Sequence, residues 1–130
     1  MQIGEVAARA GVSPATCRYY EQYGLLSRPA RRAGKRDYDP AVVARLSLIR
    51  FAKDAGLSLS EIRELLGPGP THERWRGVRA RKLQVLRDLE RLLRKQRRLL
   101  QATAECACAT PEECGRATSA LVEGNRGAAR

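Results

Sequence analysis

The chain has 130 residues, enough for one ordinary domain or a small domain with an accessory element, and too few for a separate large catalytic core. Lys and Arg total 25 against 14 acidic residues, and the net charge of +11 attracts polyanions, although charge by itself does not separate nucleic-acid binders from ribosomal, membrane-surface or merely soluble proteins. No apolar run approaches the roughly 18 residues of a membrane span, and the N-terminus lacks the pattern of a signal peptide, so a cytoplasmic protein without a membrane partner is expected.

In chain order, Ile3, Val6, Ala7 and Ala10 fall at helical spacing, with Glu5 and Arg9 on the other side. Gly11 ends this helix and supplies a turn, Ser13 suits an N-cap and Pro14 suits the first position of a second helix that runs to about Gln22. Two short helices around a tight glycine turn form a helix-turn-helix. On the second helix Thr16, Arg18 and either Tyr19 or Tyr20 can present a hydroxyl, a guanidinium and a phenol to phosphates or to a base edge. The alternative is a solvated arginine beside core tyrosines. Cys17 lies among core-facing positions and reads as a small buried apolar group.

Gly24-Leu25-Leu26 closes that helix, and Arg28, Arg31, Arg32, Lys35 and Arg36 follow in quick succession. Gly34 suits the tip of a hairpin with Arg31-Arg32 and Arg36 to Tyr38 on its arms, although the β-propensity is poor. This reads as a wing lying along a DNA backbone, or else as a disordered basic loop. Asp39 as cap and Pro40 at the first position open a core helix through Val42, Val43, Leu46 and Ile49 towards Gly56. From Ser58, the pattern Ser-x-x-Glu predicts a capping box for a helix ending at Leu65-Leu66. Gly67-Pro68-Gly69-Pro70 is a hard break and sets the first boundary, at residue 70.

From about Glu73 to Ala104 there is no proline, and Val78, Val85, Leu92 and Leu99 recur every seven residues in a stripe widened by further leucines. From Val78 to Thr103 such a helix would span about 39 Å, too long to cover its stripe on a 70-residue domain, so pairing with a second copy is predicted over residues 71–104. A helix folded back on its own domain is the alternative. Residues 105–122 form a loop with Cys106, Cys108 and Cys114 and a short helix from about Glu112 to Val122, and residues 123–130 are expected to be a disordered tail. Three thiols in one loop can converge on a soft cation: thiolates prefer Cu(I), Hg(II), Zn(II) or the iron of a cluster. Neither a Ser/His/Asp arrangement nor paired carboxylates nor a phosphate-binding glycine loop is present, and no enzyme is expected.

Ile3-Gly4-Glu5-Val6-Ala7, Gly11-Val12-Ser13, Arg18-Tyr19-Tyr20-Glu21, Tyr23-Gly24-Leu25-Leu26, Arg36-Asp37-Tyr38 and Ala55-Gly56-Leu57-Ser58-Leu59 together resemble the MerR family of bacterial transcription regulators over residues 2 to 66. The resemblance implies a mainly α protein. A winged helix-turn-helix is followed by a long dimerisation helix in an antiparallel coiled coil and a C-terminal cysteine loop. It implies a homodimer on double-stranded promoter DNA that activates by distorting an over-long spacer for RNA polymerase. DNA contacts are implied for Ser13, Thr16, Arg18, Tyr19, Arg36 and Tyr38.

The same resemblance bears on the effector. The pair Cys106 and Cys114 resembles the copper(I)-responsive branch, which favours Cu(I), Ag(I), Au(I) or Hg(II) on Cys106, Cys108 and Cys114, with Zn(II), Cd(II) or Pb(II) behind. Divalent-ion branches add a cysteine near the start of the partner's long helix; here that stretch reads Thr71-His72-Glu73, and His72 or Glu73 could donate instead. The Cys-x-Cys-x5-Cys spacing is also similar to the SoxR-like branch with its 2Fe-2S cluster, whose first cysteine would fall at Thr103. An architectural DNA-binding protein with idle cysteines is the third reading.

Overall fold

The computed structural model describes the backbone of residues 1–128 and the side chains of residues 1–122. The order is α1 (Ile3–Ala10), α2 (Pro14–Tyr23), β1 (Ala30–Arg32), β2 (Lys35–Asp37), α3 (Ala41–Asp54), α4 (Leu59–Leu65), α5 (Thr71–Gln101) and α6 (Pro111–Ala128). It divides into two compact units, Met1–Lys82 and Leu83–Arg130.

In the first unit each helix boundary has a local cause. Gly11 takes a left-handed φ of 69° and ends α1, which no side chain with a Cβ adopts cheaply. Ser13 then caps α2 by accepting from the Thr16 N–H at 3.1 Å, with Pro14 behind it. Asp39 works as predicted although α3 begins one residue later than expected: its carboxylate accepts from the Ala41 N–H at 2.8 Å. The capping box of α4 is complete, since Glu61 N–H donates to Ser58 Oγ at 3.1 Å and Ser58 N–H to Glu61 Oε1 at 3.0 Å. α1 packs on α2 and α3, and α3 on α4. Val6, Cys17, Leu25, Leu46, Ile49, Ile62 and Leu65 are fully buried between them.

The hairpin forms with the expected tip. Ala30 pairs with Asp37, Arg31 with Arg36 and Arg32 with Lys35, and the turn residues Ala33 and Gly34 have φ of 51° and 76°. Two positive φ values give a turn whose twist matches the strands. The wing is tied to the chain start by the Tyr38 N–H, which donates to the Met1 carbonyl at 2.7 Å.

The long helix is anchored in the first unit at its beginning. It starts at Thr71, immediately after Pro70, and its first turns belong to the first unit. Val78, which heads the seven-residue repeat, is fully buried in the core of that unit, and Trp75 packs against the same core. Arg81 reaches Glu64 at 2.6 Å and Lys82 reaches Glu61 at 3.3 Å, fastening α5 to α4.

In the second unit the rest of α5 carries its stripe uncovered, with Leu83, Val85, Leu86, Leu89, Leu92 and Leu93 all more than 40% exposed. After the turn at Ala102–Glu105 the cysteine loop leads into α6, whose backbone continues to Ala128, beyond the short helix expected. The expected disordered tail at 123–130 falls on residues whose side chains lie outside the described ones. Among the described residues no helix is long and apolar enough to cross a membrane.

Candidate functional site

Two constellations stand out, one in each unit. The first is the exposed side of α2 with the wing. Ser13 and Thr16 share a hydroxyl hydrogen bond of 2.8 Å at the start of α2. One turn on, Arg18 is exposed and has no hydrogen bond or ion pair among the described residues. Tyr19 is 49% exposed and stacks on Tyr23 at 6.2 Å, so its ring is held while its face stays open. The exit of α2 is clamped from outside: the Arg63 guanidinium lies 4.2 Å over the Tyr23 ring and donates to the Tyr23 carbonyl, and Arg45 Nε donates to the Leu25 carbonyl at 2.9 Å.

Between α2 and the wing lies a cleft of about 380 Å³ lined by Glu21, Gln22, Arg28, Pro29, Arg31 and Arg36. Its lining includes the exposed Arg28 and Arg31, and such a concavity suits phosphate oxygens.

Tyr38, one of the expected DNA contacts, is buried in this structure. Its side chain is 2% exposed and its hydroxyl donates to Glu21 Oε2 at 3.0 Å, so it braces the wing from inside. Burial, then the Glu21 carboxylate, push the Tyr38 phenol up to about 12. Arg36 is half-buried, and its Nε lies 3.4 Å from the same Glu21 oxygen without aligning for a hydrogen bond. Glu21 is thus the hub that sequence reasoning missed. The available signal was a lone carboxylate in an otherwise basic surface, at the end of Arg18-Tyr19-Tyr20-Glu21.

The second constellation is the cysteine loop. It is folded by a reciprocal pair at the start of α6: Glu113 N–H donates to Thr110 Oγ1 at 3.2 Å, and Ala109 N–H donates to Glu113 Oε2 at 3.1 Å. This bend places Cys114, in the first turn of α6, opposite Cys106 and Cys108. The three Sγ atoms all lie within 4.8 Å of one another, with Cys106 exposed and the other two half-buried. The Cys108 backbone N–H and thiol hold the Cys106 thiol below its ordinary range, and the same bond pushes the Cys108 thiol up to about 11. Thiols hydrogen-bonded to one another at this range are a form that a soft cation can enter by displacing their protons.

Of the remaining candidate donors, Cys17, His72 and Glu73 belong to the first unit. Cys17 is fully buried in the first unit, where burial pushes its thiol up. His72 and Glu73 are exposed in the first turn of α5. Thr103, at the position of a fourth cluster cysteine, donates its hydroxyl to the Leu100 carbonyl at 2.6 Å.

Comparison with known proteins bears on both constellations. Residues 1–67 match the family described as MerR HTH family regulatory protein, and residues 43–103 the family described as MerR, DNA binding. The chain is similar to the HTH-type transcriptional regulator ZntR of Escherichia coli K12, 35% identical over 115 residues, covering 84% of this chain and 82% of ZntR. It is also similar to heavy metal-dependent transcription regulator 2 of Rhizobium meliloti, 40% identical over 94 residues, covering 70% of this chain and 63% of that protein. Among solved structures it resembles the transcription regulator PbrR691 from Ralstonia metallidurans CH34 in complex with lead(II). That match has a TM-score of 0.65 and 34% identity, covering 88% of this chain and 94% of that one.

Proposed function

Because the chain belongs to the MerR family of helix-turn-helix transcription regulators, we propose that a thiophilic ion held by Cys106, Cys108 and Cys114 controls what its DNA-binding unit does at a promoter. The observation that carries this reading is the convergence of three thiols within 4.8 Å. Sulfurs bound to one ion at about 2.3 Å can be at most about 4.6 Å apart, so closing the site asks for side-chain adjustments of a few tenths of an ångström at the widest pair. Copper(I)-group ions and mercury(II) come first, because two soft sulfurs satisfy them, with zinc, cadmium and lead behind. The iron-sulfur reading loses ground: a 2Fe-2S cluster takes four protein ligands, and Thr103 stands where the fourth thiol would be.

At the DNA, Ser13, Thr16, Arg18 and Tyr19 contact the duplex from α2, while Arg36 and the exposed wing arginines take phosphates. Tyr38 positions the wing through Glu21. The uncovered stripe on α5 supports a homodimer, which sets two reading heads at a fixed separation. Ion binding then shifts how the dimer deforms the promoter presented to RNA polymerase, an effect on DNA shape with no added protein contact.

The test is titration of the reduced protein with Cu(I), Hg(II), Zn(II), Cd(II) and Pb(II), following thiolate-to-metal absorption together with transcription from the bound promoter. Induction by at least one ion is expected. Full induction retained by the Cys106→Ser, Cys114→Ser double variant would contradict it.

A further inference from the structure

The cluster holds one thiol more than the two-coordinate ions favoured above require. Cu(I) and Hg(II) are content with two sulfurs, yet Cys106, Cys108 and Cys114 all converge. Charge narrows the choice further. A monovalent ion on two thiolates, or a divalent ion on three, leaves a net negative complex, and a divalent ion on two is neutral but leaves the third thiol unused. A trivalent ion on three thiolates is neutral.

The surroundings favour the neutral product. Glu105 precedes Cys106, Glu112 and Glu113 precede Cys114, and Arg116 is the single cationic side chain from Ala102 to Val122. The Glu113 carboxylate is held in the loop by the Ala109 N–H at 3.1 Å and cannot simply swing away. A negative complex beside like charges is penalised, whereas a neutral one is not. Shape agrees, since trivalent arsenic and antimony carry a lone pair and bind three sulfurs on one side as a pyramid. Three Sγ atoms within 4.8 Å of one another, with Cys106 exposed, can form the base of such a pyramid.

We propose that Cys106, Cys108 and Cys114 of a single chain bind trivalent arsenic or antimony as a complete three-sulfur complex. The species captured is the neutral trihydroxide. Each thiol gives its proton to one hydroxide, three element–sulfur bonds replace three element–oxygen bonds, and three waters leave without any change of oxidation state. The inference rests on the reading of the cluster as an ion site.

The experiment uses the full chain, fully reduced, titrated in separate arms with arsenite, antimonyl tartrate and mercuric chloride. Near-ultraviolet absorption and the loss of reactive thiols are followed. The expected result is one equivalent of arsenite or antimonyl bound, three thiols consumed and the buried Cys17 uninvolved. Each of Cys106→Ser, Cys108→Ser and Cys114→Ser should weaken that binding by more than about tenfold, a loss that even an outer partner of a metal site can cause. Cys17→Ala should leave it unchanged. If Cys108→Ser binds arsenite and antimonyl as tightly as the parent, or if mercury binds and neither trivalent species does, the assignment is overturned while the ion site stands. If none of the three binds, both the assignment and the ion-site reading fall.

Discussion

At the scale of single residues, the proposed DNA-binding surface depends on one carboxylate of α2. Glu21 accepts the Tyr38 hydroxyl and lies against Arg36, so one side chain of α2 sets the position of β2. Removing the acceptor by Glu21→Ala leaves the buried Tyr38 hydroxyl unsatisfied, and a loss of about 1–3 kcal/mol in urea unfolding is expected. The Tyr38 phenol, raised from 10.0 to about 12, adds a pH signature. Its protonated form is favoured by folding, so its contribution is complete below pH 10 and is lost as the pH rises from 10 towards 12. Relative to the parent, Tyr38→Phe should therefore flatten the fall in stability across that window, measured by urea unfolding at each pH; parallel profiles would contradict the assignment. The sequence placed Arg36 to Tyr38 on one arm of the hairpin, and alternate residues of an extended arm share a face. It did not show which way the face turns, because a tyrosine suits a wet surface and a buried hydrogen-bonded site equally.

At the scale of elements, the helix starts were legible because each has a side chain that satisfies free backbone groups. Ser13, Asp39 and Ser58 all cap where expected. Glu61 is held below the usual carboxylate range first by the Ser58 backbone N–H and further by the Ser58 hydroxyl and Lys82. Ser58→Ala should cost about 1 kcal/mol in thermal or urea unfolding. The wing was legible from Gly34, though not its grip on α2. Arg31→Ala with Arg32→Ala should weaken operator binding at all sequences and lower its salt slope by roughly 1 for each phosphate that is no longer neutralised. An unchanged slope would remove the wing from the interface. The long helix was read correctly as a helix and incompletely as an interface. A seven-residue apolar spacing looks the same whether the neighbour is its own domain or another copy, and Val78 belongs to the former. That three thiols in one loop can converge was legible in the sequence, whereas the bend made by Thr110 and Glu113 that brings them together was not.

At the scale of the whole molecule, a basic reading unit and a thiol cluster lie in different compact units of one chain, with the exposed leucines of α5 available to a second copy. Leu89→Glu with Leu92→Glu places charges on that stripe and should yield a folded monomer by analytical ultracentrifugation, with operator affinity reduced because two heads no longer bind together. A dimer of undiminished affinity would contradict the role given to the stripe. The central claim is that the cysteine loop decides when the DNA-bound protein activates. Its most direct test is transcription in vitro from the protein's own promoter, with and without the inducing thiophilic ion. Parent protein is compared with the Cys106→Ser, Cys114→Ser double variant at equal promoter occupancy. The account predicts ion-dependent activation by the parent and none by the variant; equal activation by both would contradict it.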